Sequence, residues 1–415
     1  MKLRNILIVL FSFQILFTLL LKYFSYQGDL SSELHEKILK YFTEADIQAG
    51  IDYSRRGFFV SIIASLLDFT LAGAFVFTPL SSRLEEFFQK KVGGNFYLVV
   101  FLYFISFYLI EFFISLPFSY YFGFVIEHEF QFSNMTFLDW VIFKSKSFGI
   151  GLFFGTIIML VVAFVLKNLP RAWKYILPIL SLGFGLLTSV LFPIIITPIF
   201  YDFGPIEEGS LKNKIVALSE KANIRIENIY VIKESQYSGH TNAYFTGWGE
   251  SKKIFLYDTL IKNHTEEEVI SVLGHEIGHW VHNHQTFEIV LGTIQTFLFC
   301  FLLGYVFQKV KAEELVPLKE FYSPSTLPFL FLILSLIGTV IEPFSAGLSR
   351  ILETQADQEA LILTNDKKSF INTEIKLAKD NKSRLNPHKL EIIFEHSHPT
   401  TLERIELAES WKGPN

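Results

Sequence analysis

A chain of 415 residues that is 50% hydrophobic, uses Phe 46 times and has a mean hydropathy of +0.36 carries more apolar surface than a soluble fold can hide. Its net charge of −5 gives no basic surface for a nucleic-acid partner. A single cysteine, Cys300, excludes an internal disulfide, and its place in an apolar run marks it as a small buried hydrophobe.

A helix that crosses a bilayer needs about 20 apolar residues. Seven runs supply them: roughly Ile6–Phe24, Gly57–Leu80, Phe96–Phe118, Phe148–Lys167, Tyr175–Phe200, Thr286–Phe307 and Leu327–Phe344. Lys2 and Arg4 precede the first, as in a signal peptide. Its length and the lack of a small-x-small cleavage site predict an uncleaved signal anchor. Glu342 and Pro343 fall near the end of the seventh. A carboxylate there must face protein or water, so Glu342 is expected at the mouth of a polar cavity or just outside the membrane.

Two stretches are polar enough to live in water, about Tyr201–Gln285 and Ser345 to the C-terminus. The first reads as mixed α/β. Glu208–Asn223 has helical spacing, with Ile215, Leu218 and Ala222 on one face. Short strands follow at Ile229–Ile232, Asn242–Phe245 and Lys253–Tyr257, the last two joined by the hairpin-like Gly247–Ser251. Thr265-Glu266-Glu267-Glu268 is a capping-box signature that opens a further helix. Helices are expected at about Ser345–Leu363, Lys367–Lys379 and Thr400–Ser410 in the second stretch. The chain thus divides into 1–200 (spans one to five), 201–285 (the first part of a polar domain), 286–345 (spans six and seven) and 346–415 (a helical part completing the site). Two spans return the chain to the side it left, so the polar stretches can meet over one site.

The polar domain carries His275-Glu276-Ile277-Gly278-His279 on its last helix. Two histidines four apart stand one above the other on one helical face and can ligate one tetrahedral Zn²⁺. Glu276 follows the first ligand and lies about 100° around the helix. From there it can take a proton from an activated water and pass it to the leaving amine. A third ligand is required, and Glu353 in Ser349–Asp357 is the best candidate. Asp357 shares its helical face; one carboxylate can ligate while the other accepts the free N–H of a ligand histidine. His282, His284, His240, His396 and His398 are competing ligands. His398 could donate to the oxyanion of the reaction, and Arg404 could hold the Glu353 carboxylate.

At these residues the chain resembles the type I CaaX prenyl protease family, seven-span membrane zinc metalloproteases. The likeness is densest from Leu191 to Arg404. It rests on Thr197–Phe200, Ser238–Phe245, Lys253–Leu260, His275–Trp280, Ser349–Asp357, His398-Pro399 and Glu403-Arg404. The resemblance implies a mainly α, multi-pass membrane fold, with seven helices around a water-filled chamber capped by a zincin-like α/β metalloprotease domain. It implies one zinc per chain on His275, His279 and Glu353, with Glu276 as general base and His398 as a further catalytic group. Asp357 and Arg404 would support the ligands, and Asn242 and Ala243 would line a cleft where an extended peptide adds as an edge strand. The substrate would be a peptide or protein, prenylated or not, cut near its C-terminus, with the lipid bilayer as surroundings. Clearance of stalled membrane-associated proteins is a second role of such enzymes.

Lys412-Gly413-Pro414-Asn415 contains no dilysine-type retrieval signal, which points to a bacterial homologue in the inner membrane rather than the endoplasmic reticulum. Counting Lys and Arg in short loops, Arg83, Lys90, Lys91, Lys167 and Arg171 among them, places the zinc domain outside; the family places it in the cytoplasm. Lys37, Lys40, Arg55 and Arg56 oppose the count, so the cytoplasmic side is expected. Two other classes compete: a site-2-type protease, disfavoured by Glu266–Glu268 ahead of the motif and by a Glu third ligand, and a seven-span non-enzyme, disfavoured by an intact Glu276.

Overall fold

The computed structural model describes residues 3–247, 252–312 and 318–413. Among them, six helical runs are long and apolar enough to cross a membrane: Asn5–Gln27, Glu44–Phe77, Phe96–Glu129, Phe137–Asn168, His284–Lys311 and Pro324–Thr364. A seventh is the pair Trp173–Ser189 and Ile194–Phe200, bent by 53°. Pro193 and Pro198 fall in this run, and each removes a backbone N–H from the helical ladder. Six of the expected spans are single helical runs and the fifth corresponds to this bent pair; several are longer than their apolar cores. The fourth begins at Phe137 under a capping box between Thr136 and Asp139, eleven residues before the hydrophobic run. Bulky side chains such as Phe59, Phe153 and Leu298 stand more than 60% exposed on these helices, a surface that a bilayer solvates and water does not. Asp68 and Glu111 are also exposed, well inside their spans. A charged group at that depth requires water or a polar partner, so these two positions face polar surroundings and not lipid tails. Cys300 is buried against Val165, Leu166 and Trp173.

The seventh span continues without a break through Leu327–Thr364, 38 residues with Pro343 inside. At 1.5 Å per residue that is about 57 Å, against a hydrocarbon core of about 30 Å. Its second half therefore stands clear of the membrane as part of the polar domain. The separate helix expected to start at Ser345 does not exist as such, and the 345/346 boundary falls inside one rod. Apolar residues give way to mixed composition there, and Pro343 adds a false stop signal. Glu342 is exposed on that rod.

The polar domain holds a four-stranded sheet of order β1-β2-β4-β3. Its strands are β1 (Phe203–Pro205), β2 (Ile226–Ile232), β3 (Ala243–Thr246) and β4 (Lys252–Tyr257). β2 and β4 run parallel and the outer pairs are antiparallel. On one face Ile229, Ala243, Ile254 and Leu256 bury against Val269, Leu273 and Ile277 of the helix Glu266–Val281. On the other, Phe255 stacks between Tyr230 and Tyr244, each 5.1 Å away. This alternation along β4 is the period of two that a strand imposes. β3 lies at the sheet edge next to the motif helix. The expected helices at 208–223, 367–379 and 400–410 appear as Ser210–Lys221, Lys367–Asp380 and Thr401–Ser410. The connection expected to close β3 onto β4 falls outside the described residues beyond Gly247.

Candidate metal centre

The motif helix begins where the sequence placed it. Thr265 Oγ1 accepts from Glu268 N at 3.3 Å, and Glu268 Oε2 accepts from Thr265 N at 2.9 Å. Lys376 adds an ion pair to Glu268 at 2.6 Å, tying this start to the helix Lys367–Asp380. From that fixed end the helix presents three faces. Val269, Leu273 and Ile277 meet the sheet, His275 and His279 point to the site, and Gly274 and Gly278 meet the rod Leu327–Thr364.

The glycine face decides whether a site exists. A Cβ at Gly278 would lie 2.8 Å from Ala356 Cα and 2.9 Å from Ala356 O, and one at Gly274 3.2 Å from Ala360 Cα. Gly-x-x-x-Gly on one helix thus meets Ala-x-x-x-Ala on the other, and the backbones approach more closely than larger residues permit. That approach carries Glu353 and Asp357 to the histidines from a helix 82 residues further along the chain. The spacing is legible in both segments, but neither segment alone says that the two meet.

His275 Nε2 lies 3.2 Å from His279 Nε2, and Glu353 oxygens lie 3.1 Å from the first and 3.5 Å from the second. For metal–ligand bonds of about 2.0–2.2 Å, the edge of a tetrahedron is about 3.3–3.6 Å. The three donors stand close to that spacing. His275 Nδ1 donates to Asp357 Oδ1 at 2.7 Å, so the neutral form of the ring carries its lone pair on Nε2. Glu353 Oε2 is buried without a well-formed hydrogen bond, although imidazole nitrogens of His275 and His398 lie 3.1 and 2.8 Å away. Lone pairs converging at these distances repel one another unless a cation stands between them. The donor set therefore fits a tetrahedral divalent metal with one open position.

Asp357 is fully buried and held by Arg404, whose Nε donates to Oδ2 at 2.8 Å and whose Nη2 donates to Oδ1. Arg404 Nη1 reaches Glu374 at 2.8 Å. The expectation that Arg404 grips Glu353 is thus corrected: it grips the carboxylate behind the ligand. Residue 404 sits on the far side of Asp357 from the metal face. Burial disfavours charge on His275, yet the Asp357 and Glu353 carboxylates beside it raise its pKa to about 10, so a metal at Nε2 would compete with a proton. Burial drives the Glu276 carboxyl up as well, opposed by the two histidines. The same cause raises Glu374, which the sequence reading had not singled out.

The remaining candidates separate cleanly. His398 lies with Nδ1 2.8 Å from Glu353 Oε2 and its ring more than half exposed, at the rim of the site. Its loop is fixed by Arg350, which donates to the carbonyls of Ile392 and His396 at 2.6 Å. His282 pairs with Glu359 at 3.3 Å, His396 faces Glu391 at 3.7 Å, and His240 binds Glu127 at 3.0 Å. None of these three belongs to the converging donor set. His284 meets His279 at the nitrogen turned away from that set. Asn242 is exposed just ahead of β3, its Oδ1 accepting from Ala243 N at 2.8 Å. The Ala243 side chain is buried in the core, so it offers a cleft only its backbone.

Residues 205–412 match the profile of peptidase family M48, and residues 28–202 match that of the CAAX prenyl protease N-terminal region with five membrane helices. An uncharacterized metalloprotease of Bacillus subtilis, YhfN, is 29% identical over 373 residues, covering 88% of this chain and 86% of its own. CAAX prenyl protease 1 of Saccharomyces cerevisiae is 30% identical over 310 residues, 70% of this chain and 68% of its own. The crystal structure of S. mikatae Ste24p superposes with a TM-score of 0.85 over 99% of both chains at 24% identity, a likeness of fold.

Proposed function

The chain belongs to peptidase family M48 and is an integral-membrane metalloprotease, and on that footing we propose that it is a zinc endopeptidase whose ligands are His275, His279 and Glu353. The observation that carries this reading is the tetrahedral spacing of three lone-pair donors, 3.1, 3.2 and 3.5 Å apart. Zinc held there would lower the pKa of a water to about 7 and polarise a scissile carbonyl. Glu276, one position past the first ligand and kept basic enough by burial, takes the proton of the attacking water and returns it to the leaving amine. His398 at the rim donates to the developing oxyanion. Asp357, fixed by Arg404, keeps the His275 proton on Nδ1. A substrate chain lies along β3, the sheet edge beside the motif helix, and Asn242 marks its entry.

The substrate proposed is a peptide or protein cut near its C-terminus, of the CaaX type that the yeast relative's name records. In a bacterial inner membrane this would extend to unprenylated membrane-associated proteins, with the zinc domain on the cytoplasmic side. The test is metal content of detergent-purified wild type and Glu276→Gln, together with cleavage of a farnesylated and an unfarnesylated CaaX peptide. One zinc per chain and Glu276-dependent cleavage of the farnesylated peptide is the expected result. Zinc with cleavage of neither peptide would refute the CaaX substrate class, and absence of zinc would refute the metal assignment.

A further inference from the structure

On a continuous helix, residues 279 and 284 would lie about 140° apart and could not touch. The motif helix stops at Val281, and Asn283 takes a left-handed conformation (φ 56°) before a new helix starts at His284. Asn adopts that region at little cost. The turn folds His284 back beneath the second ligand, where it is buried. His284 Nδ1 lies 2.9 Å from His279 Nδ1, and its Nε2 lies 3.1 Å from Gln355 Oε1 on the long rod.

Resting on the reading of His279 as a metal ligand, we propose that His284, oriented by Gln355, is the positioning residue for His279, as Asp357 is for His275. The proton assignments follow from one another. A ligating His279 keeps its lone pair on Nε2 and its proton on Nδ1. That proton needs an acceptor, and His284 Nδ1 is the atom in reach. With a lone pair on Nδ1, a neutral His284 carries its proton on Nε2, and Gln355 Oε1 accepts it. Both nitrogens of His284 are thereby occupied, so it is not itself a ligand.

The two ligand histidines therefore rest on chemically different supports. His275 donates to a buried carboxylate, His279 to a neutral imidazole. A second carboxylate would add a negative charge to a centre that already holds Glu353, Asp357, Glu374 and Glu276; the neutral chain orients the ring without that charge. Gln355 lies between the other two site residues of its helix, Glu353 and Asp357. One rod thus supplies a ligand and the outer support of both histidines.

The experiment measures metal affinity by competition with a chromophoric chelator, and the visible spectrum of the cobalt-substituted protein, for wild type, His284→Phe, His284→Asn and Gln355→Leu. His284→Phe keeps a ring of similar size but has no acceptor; His284→Asn keeps an acceptor oxygen. Affinity is expected to fall roughly 10–100-fold in His284→Phe, with altered cobalt bands. It should recover at least partly in His284→Asn and fall to an intermediate degree in Gln355→Leu. Melting of the metal-free proteins separates this from misfolding: the expected pattern is a loss of affinity larger than any loss of apo stability accounts for. Wild-type affinity in His284→Phe, or equal losses in His284→Phe and His284→Asn, overturns the proposal while leaving the metal site intact. A wild-type protein that takes up no metal overturns the ligand assignment itself.

Discussion

Replacing Gly278 by alanine tests whether the close approach of two helices makes this site. The added methyl would meet Ala356 Cα at 2.8 Å and Ala356 O at 2.9 Å, both backbone atoms that no rotamer change can move. Ordinary contact begins at 3.4 Å, so from 2.8 Å the helices must part by about 0.6 Å. Glu353 rides on one of these helices and His275 and His279 on the other. The donor spacings of 3.1 and 3.5 Å then stretch by a comparable amount, whereas metal–ligand distances tolerate about ±0.2 Å. For stability, overpacking costs about 1–3 kcal/mol and the gain in helix propensity from Gly to Ala offsets about 1 kcal/mol of it. The expected outcome is a modest loss of stability, about 0–2 kcal/mol, with a disproportionate drop in metal affinity of roughly tenfold or more. Gly292→Ala is the control, since its added methyl meets nothing within 4 Å. Affinity is read by chelator competition and stability by melting in detergent. A Gly278→Ala protein that binds metal as tightly as wild type would refute the idea that backbone approach sets the ligand geometry.

Other perturbations separate chemistry from support. Glu276→Gln should retain the metal and lose cleavage roughly 10²–10⁴-fold, the usual weight of a general base; wild-type turnover would remove Glu276 from the mechanism. His398→Ala should keep the metal and lower kcat more than it raises KM, and a change confined to metal content would reassign it to holding Glu353. Arg404→Leu leaves the Asp357 and Glu374 carboxylates buried and uncompensated, so destabilisation of about 3–5 kcal/mol is expected in denaturant or thermal melts; an unchanged melt would contradict the ion-pair account. His240 should make stability pH-dependent. Its pKa is raised by the bond to Glu127, against burial and with help from Asn381. A raised pKa gives stabilisation that is complete below the ordinary imidazole range of about 6.5 and is lost as pH climbs through the raised value. The melting temperature should therefore fall from pH 6.5 upward in wild type and less steeply in His240→Gln; parallel profiles would dismiss this pair.

What could be read from the residues alone is local in the chain. Runs of about 20 apolar residues have one low-energy state in a bilayer, so seven spans could be counted from composition. A threonine three residues before a glutamate fixed the start of the motif helix, and four-residue spacing put His275 and His279 on one face. Glu353 and Asp357 were legible as a pair for the same reason, and family likeness joined them to the histidines.

Tertiary structure decided what depends on distance between segments remote in the chain. That the seventh span and the carboxylate helix form one 38-residue rod was hidden by the change in composition at the membrane surface and by Pro343. Arg404 was assigned to the wrong carboxylate, because Glu353 and Asp357 share a face and only three-dimensional packing says which one looks back into the protein. His284 carried no signal of contact with His279, since five residues is the wrong spacing until Asn283 breaks the helix. Side-chain periodicity is a property of one segment. The approach of two backbones, and the few tenths of an ångström that separate a metal site from a pair of polar helices, are set by the small residues where segments cross.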